Sequence, residues 1–330
     1  MSQSHRNKNA GRGMGAARQL KREAANSKPS TPESILLSPR VMRAWALPQP
    51  DEAGDKEERG RVLVIGGAPE MPGAVILAAT AALRAGAGKV QIATCRSIAQ
   101  TIGACVPEAR VFALPETKAG GIAASAASAI AERANDAQAV LIGPGMLDEK
   151  AIARLLKTLL PRIDVPTLVL DAGALASLTD NVGCLKKLNQ RVVLTPHAGE
   201  MATLTGVDRE KIEADPANLA QEAARKLRAV IALKGRETFI AAPTGKKIYC
   251  NRTGNVGLAT SGSGDTLSGI IAGLAARGAP ALQAAAWGVY LHGRAGDRLA
   301  RKIGRLGFLA RELLAEIPSV MADAGERKKR

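Results

Sequence analysis

The sequence predicts an α/β fold, a mostly parallel sheet with helices on both faces, and three observations lead there. Short apolar runs of strand length recur at 62–65, 90–93, 140–142, 167–170, 192–194 and 230–233. Such unbroken runs, without polar alternation, mark strands covered on both faces. Stretches with helical spacing separate them, at 74–87, 122–134, 151–160 and 218–228, the order that builds one parallel sheet wrapped by helices. The runs also end alike, in glycines or polar groups: Gly66-Gly67, Gly143-Pro144-Gly145, Asp171-Ala172-Gly173, Thr195 to Glu200, and Lys234-Gly235. In open parallel sheets that end of the strands holds the ligand.

Taken in chain order, residues 1–30 carry seven Lys or Arg against one Glu and no periodic apolar face, and read as a disordered basic tail. Residues 31–60 read as a linker, with a short helix at 41–47 after Ser38-Pro39-Arg40 and a charged spacer over 51–60. The folded domain is expected over 61–318, beginning at Arg61, and a basic C-terminal tail over 319–330. Within the domain, 239–242 and 247–250 flank Pro243-Thr244-Gly245-Lys246 and read as a hairpin that breaks the strand–helix rhythm. Beyond it a small-residue loop, Ser261-Gly262-Ser263-Gly264, runs into Asp265 and an apolar helix marked by Leu267, Ile270, Ile271 and Leu274.

Composition narrows the function. The 330 residues are 46% hydrophobic and only 2% aromatic, which disfavours a base-stacking nucleic-acid platform despite the formal net charge of +16. Much of that charge sits in the two tails, and a tail-driven RNA-binding role is disfavoured for want of an aromatic recognition motif in the core. The cysteines Cys95, Cys105, Cys184 and Cys250 have no Cys-x-x-Cys spacing, which argues against structural zinc and a disulfide framework. No run approaches the roughly 18 apolar residues needed to span a bilayer, and no apolar signal segment opens the chain, so a cytoplasmic location and no membrane contact are expected.

The loop at 261–265 concentrates the chemistry. Residues with little side chain leave backbone N–H groups open to a phosphate, and the start of a helix adds unpaired donors and a partial positive charge. Asp265, in the first turn, either caps this helix or serves as a base beside the bound phosphate. His197, three residues before Glu200 at a strand exit, and the polar turn Lys234-Gly235-Arg236-Glu237-Thr238 sit where a ligand would lie.

Together these segments resemble the ADP-dependent NAD(P)H-hydrate dehydratases of the ribokinase-like superfamily, over about residues 61–300. The resemblance is carried by Gly66-Gly67 through Pro72-Gly73-Ala74, Ala81 to Gly88, Pro107-Glu108, Gly143-Pro144-Gly145, Asp171-Ala172, Thr195 to Glu200, Lys234-Gly235 with Thr238, and Gly254-Asn255 through Gly264-Asp265. It implies a three-layer α/β/α ribokinase-like sandwich. It also implies that ADP phosphorylates the ring hydroxyl of the S epimer of NADH-hydrate or NADPH-hydrate, after which phosphate is eliminated.

By the same resemblance Ala74, Gly145, His197 and Asp265 contact the hydrate, with Asp265 as base. Lys234, Gly235, Arg236, Glu237, Thr238 and Gly264 hold the nucleotide, and Glu200 orients a magnesium-bound water. Mg2+, ADP as co-substrate, a separate NAD(P)H-hydrate epimerase as pathway partner and a homotetramer are implied as well. A small-molecule kinase of the same superfamily, acting on a vitamin-precursor alcohol, is the rival reading, since it would share loop and base. The chain differs from the commoner pattern at Asp171-Ala-Gly173, where Gly173 cannot supply a second carboxylate.

Overall fold

The protein is described from a computed structural model covering residues 34–51, 55–188, 190–245 and 247–325. The expected basic tail over 1–30 and residues 326–330 lie outside the described residues.

One sheet organises the described residues: β1 (Ser34–Leu36), β2 (Arg61–Ile65), β3 (Lys89–Cys95), β4 (Ala109–Leu114), β5 (Ala139–Ile142), β6 (Thr167–Leu170), β7 (Val192–Leu194), β8 (Val230–Leu233), β9 (Thr238–Ala241) and β10 (Ile248–Asn251). Their spatial order is β1-β10-β9-β8-β7-β6-β5-β2-β3-β4. Every neighbouring pair from β8 to β4 is parallel, while β9 runs antiparallel to both β8 and β10. The apolar runs named from sequence are all present as parallel strands, and β5 to β8 are almost wholly buried.

From β2 the chain first builds outward through β3 and β4, then returns to lay β5 on the other side of β2 and continues through β6, β7 and β8. Right-handed crossovers put helices of opposite build directions on opposite faces. Helices α2 (Pro72–Arg84) and α3 (Arg96–Cys105) therefore share one face, and α4 (Ala127–Asn135), α5 (Glu149–Leu159) and α9 (Pro216–Leu227) the other. After the β9–β10 hairpin, α10 (Ser263–Ala276) and α11 (Ala281–Lys302) return to the α2 face and pack over β5, β6 and β7 to β10 respectively. Helices α10 and α2 approach at backbone distance: a Cβ on Gly269 would lie 2.2 Å from Ala78 O, and one on Gly273 2.5 Å from Ala82 O.

Two boundaries differ from the sequence reading. The expected linker is docked to the core through its residues 34–47. β1 pairs in parallel with β10, and Ser38 caps α1 (Pro39–Ala44) by accepting the Val41 N–H. Trp45 stacks on Tyr249 with ring centroids 5.1 Å apart, and its carbonyl accepts the Trp287 indole N–H at 2.7 Å. A three-residue strand is too short to leave a readable period. At the other end, the expected tail from 319 continues the helix α12 (Ala310–Gly325), where Val320 and Ala324 are buried and Arg298 pairs with Asp323. The basic cluster that follows masks that apolar spacing. β4 and α3 carry only mixed patterns and give no clear signal in the sequence; β4, at the edge of the sheet, buries only Leu114 fully.

Candidate active site

Reversal of the build direction leaves a crevice between the C-terminal ends of β2 and β5, the topological switch point at which open α/β sheets take their ligands. Its walls touch. The Gly67 N–H donates to Pro144 O at 2.8 Å, and a Cβ on Gly66 would sit 2.2 Å from the same oxygen. Gly145 adopts φ 68°, where a side chain is strained, and a Cβ there would meet Met71 O at 2.6 Å and the Ala74 Cβ at 3.0 Å. Ala74 lies in the first turn of α2, which starts at Pro72. Two of the four positions expected to meet the hydrate, Ala74 and Gly145, thus lie side by side, both buried where the two loops meet.

Next along the rim, β6 ends in Asp171, 1% exposed, whose Oδ1 accepts the Thr195 hydroxyl at 2.7 Å and the Lys234 ammonium at 3.1 Å. The chain turns sharply behind it, with Ala172 at φ 47°, a conformation alanine rarely adopts and one that recurs at functional sites. Lys234 leaves β8, bridges β-fashion to His197, and brings its Nζ within 3.8 Å of Glu200 Oε2. Burial opposes the lysine charge, but Asp171 and Glu200, with a smaller share from Asp265, more than restore it and hold its pKa above the ordinary value.

His197 and Glu200 cap α7 (Ala198–Thr205) reciprocally. The ring Nδ1 accepts the N–H groups of Gly199 and Glu200, and Glu200 Oε2 accepts the His197 N–H at 2.8 Å. With Nδ1 accepting, the ring carries its proton on Nε2, which lies 3.6 Å from Glu200 Oε2 on a largely exposed ring.

The helix α10 closes the site from the opposite face. Gly262 is its left-handed N-cap at φ 85°, Asp265 lies in the first turn, and a Cβ on Gly264 would stand 3.5 Å from Lys234 Nζ. Burial, then repulsion from Asp171, pushes the Asp265 carboxyl up to about 6, against the opposing pull of Lys234 and of a backbone hydrogen bond, with Glu200 adding to the rise. A carboxylate so placed is ionised at neutral pH yet a better proton acceptor than an exposed aspartate.

Beyond Lys234 opens a cavity of about 620 Å³, bounded by His197, Arg209, Ile212, Pro216, Lys234 and Phe239 among others, large enough for a nucleotide. Gly235, Arg236 and Glu237 also line it, but Thr238 does not. Thr238 pairs with Asn251 across β9 and β10, and its side chain falls on the alternate face of the strand. Glu237 is held by Arg252 at 2.7 Å. Residues that the sequence reading did not assign to the site are Asp171 and Thr195, which seat the lysine. Their signal was a buried acid at a strand end with a Thr at the neighbouring exit.

Magnesium can be tested against this donor set. Lys234 already faces Asp171 and Glu200, and among the described residues no group of three or more His, Cys, Asp or Glu could hold a metal ion. The residues present do not form a metal cage, and no step of the chemistry derived from them passes through a metal.

A carboxylate in the first turn of a helix, a small-residue loop ahead of it, a lysine near it and an adjoining nucleotide-sized cavity, on a mostly parallel sheet with helices on both faces, define an α/β protein of the ribokinase-like class. Comparison with known proteins narrows the class. The profile of the NAD(P)H-hydrate dehydratase family matches residues 62–319. An ADP-dependent (S)-NAD(P)H-hydrate dehydratase of Xanthomonas campestris pv. campestris is 47% identical over 295 residues, covering 88% of this chain and 97% of that protein. Among solved structures, an ADP/ATP-dependent NAD(P)H-hydrate dehydratase from Bacillus subtilis, co-crystallised with ATP/Mg2+, superposes with TM-score 0.73 at 33% identity over 90% of this chain and 99% of that one. A ribokinase-like superfamily protein from Enterococcus faecalis superposes with TM-score 0.77 at 29% identity, over 88% and 96%. The chain belongs to the NAD(P)H-hydrate dehydratase family.

Proposed function

We propose that this chain repairs hydrated nicotinamide nucleotides, using ADP to dehydrate the S epimer of NADH-hydrate or NADPH-hydrate with release of AMP and phosphate. The observation that supports the site assignment is Lys234, which lines the nucleotide-sized cavity and pairs with Asp171, while its charge and that of Asp171 both act on the Asp265 carboxyl.

In this reading the ring of the hydrate lies against Ala74 and Gly145, with His197 Nε2 donating to it. Asp265 takes the proton of the ring hydroxyl as that oxygen bonds to the β-phosphorus of ADP, and the bond to AMP breaks. N–H groups of the first turn of α10 receive the charge on the transferring group, and Lys234 adds a point charge beside it. The ring nitrogen then pushes electrons toward the C–O bond, phosphate leaves, and loss of a proton from the neighbouring carbon restores the double bond. Gly264 leaves room for the phosphate, while Gly235, Arg236 and Glu237 border the rest of the nucleotide.

Asp171, Glu200 and Asp265 outnumber Lys234, which supports entry of the nucleotide together with its own cation rather than a cation held by the chain. A separate activity that interconverts hydrate epimers would supply the S form. No helix among the described residues is long and apolar enough to cross a membrane, and the four cysteines are unpaired, which supports a reducing, cytoplasmic setting.

The decisive experiment incubates the protein with hydrated NADH and, separately, hydrated NADPH, each with ADP or ATP, and follows recovery of reduced-nicotinamide absorbance with AMP release. Recovery stoichiometric with AMP supports the reading. No recovery alongside phosphorylation of a vitamin-precursor alcohol by ATP would overturn it in favour of a kinase.

A pH profile tests the base directly. With the Asp265 pKa near 6, kcat/KM should be flat above about pH 7 and fall about tenfold per unit below 6, as the carboxylate is protonated. An acid limb that begins only near the ordinary aspartate value, about 4, contradicts the raised pKa, and a limb that persists unchanged in Asp265→Asn removes the carboxylate from the role.

A further inference from the structure

Helix α11 carries a histidine that the chemistry above leaves unused. His292 Nε2 lies 2.9 Å from Ser263 Oγ, and Ser263, 4% exposed, opens the first turn of α10 directly before Gly264 and Asp265. Burial, aided by Lys234 and opposed by a hydrogen bond to the Ser263 backbone, presses the ring pKa down to about 4, so the imidazole is neutral at working pH. A neutral ring offers one donor and one acceptor, either of which satisfies a hydroxyl.

The same helix guides the chain that leads into the loop. The Thr253 hydroxyl donates to Tyr290 O at 3.4 Å, and Asn255 Nδ2 donates to Asp297 Oδ1 at 3.4 Å. Gly293 and Gly296 let that segment lie against the helix, since Cβ atoms there would come within 2.2 Å of Thr253 Oγ1 and 2.7 Å of Leu258. The His292–Ser263 bond is the last of these ties before the first turn of α10. It also turns the Ser263 hydroxyl inward, so backbone N–H groups rather than this hydroxyl meet the phosphate.

We propose that His292 is a positioning residue for phosphoryl transfer: through Ser263 it fixes the first turn of α10 so that the backbone donors and the Asp265 carboxylate face one phosphorus. The inference rests on the functional reading above for its chemistry, but the tie can be judged without turnover.

The test compares H292A, S263A, the double variant and H292Q, whose amide nitrogen can take the place of the ring Nε2. Each alanine variant should lose about 10- to 100-fold in kcat, as when a preorganised donor is misplaced, with the KM for hydrate within about twofold of the parent. The double variant should lose no more than either single one, and H292Q should recover most of the loss. Calorimetric titration should give weaker ADP binding but unchanged AMP binding in H292A and S263A, because only ADP carries the phosphate that reaches the loop. Losses that multiply in the double variant, ADP and AMP weakened alike, or S263A equal to the parent in kcat and ADP affinity would each overturn the proposal. If H292A fails to fold, S263A and H292Q decide between the same outcomes. If the parent itself recovers no reduced nicotinamide, the functional reading fails, while the ADP and AMP titrations still decide whether the tie shapes the phosphate site.

Discussion

Replacing Asp265 by Asn is expected to lower turnover by about 10³-fold or more, because an amide keeps the shape of the side chain but cannot take the hydroxyl proton. Nucleotide affinity should survive, since the loop and Lys234 remain. Stability should move the other way. The carboxyl titrates near 6 in the folded protein against 3.8 ordinarily. Between those values the folded state binds more protons than the unfolded chain, so stability falls as pH rises from about 4 to 6, and the cost persists above 6. Taken in full, the shift is worth about 3 kcal/mol, and partial solvent exposure reduces it to about 1–2 kcal/mol. The Asn variant should therefore melt at or above the parent temperature at pH 7.5, the gap closing by pH 4. Single-turnover kinetics with calorimetric melting at both pH values checks both halves. Near-native turnover removes Asp265 as the base, and a lower melting temperature at pH 7.5 contradicts the electrostatic account.

Lys234→Met is expected to be the second most damaging change. It strips the point charge from the phosphate path and leaves Asp171, almost wholly buried, with the Thr195 hydroxyl as its remaining hydrogen-bond partner among those described above. Loss of one member of such a pair costs about 3–5 kcal/mol, and loss of a phosphate-facing charge about 10²- to 10³-fold in kcat/KM. Without the lysine, Asp265 should titrate still higher, moving the acid limb of the rate profile above pH 6. Adding Asp171→Asn should return much of the stability, because the orphaned charge goes, but little of the catalysis. Denaturant melts of the single and double variants beside their kcat/KM values separate the two effects. Recovery of catalysis in the double variant would show that the lysine serves the fold and not the phosphate.

The parallel core was legible because strands such as β5 and β6 are covered on both faces and leave unbroken apolar runs. The rim was legible for a related reason. Where backbone must approach backbone, as Gly66 does Pro144, the chain can place only glycine, and those glycines fall at strand ends. Interactions between distant residues were not. Nothing local links Asp171 to Lys234, 63 positions apart, or Ser263 to His292, 29 positions apart, and each pair is joined only by the sheet order and the return of α11. His197 shows the opposite ambiguity. Its spacing to Glu200 suits both a ligand contact and a helix cap, and the geometry uses it as a cap, with Nε2 3.6 Å from Glu200 Oε2.

The contact of α10 with α2 through Gly269 and Gly273 bears on how this site can change. Asp265 rides on one of these helices and Ala74 on the other, and main-chain atoms meet where side chains would normally cushion the gap. The separation of Asp265 and Ala74 is therefore a property of two interlocked cylinders, with no compressible layer between them. Drift in the core by conservative exchange can retune many distances in an enzyme, but not this one. A chain of this lineage that comes to accept a bulkier substrate must enlarge the loops of the rim, since the gauge between its two working helices is fixed.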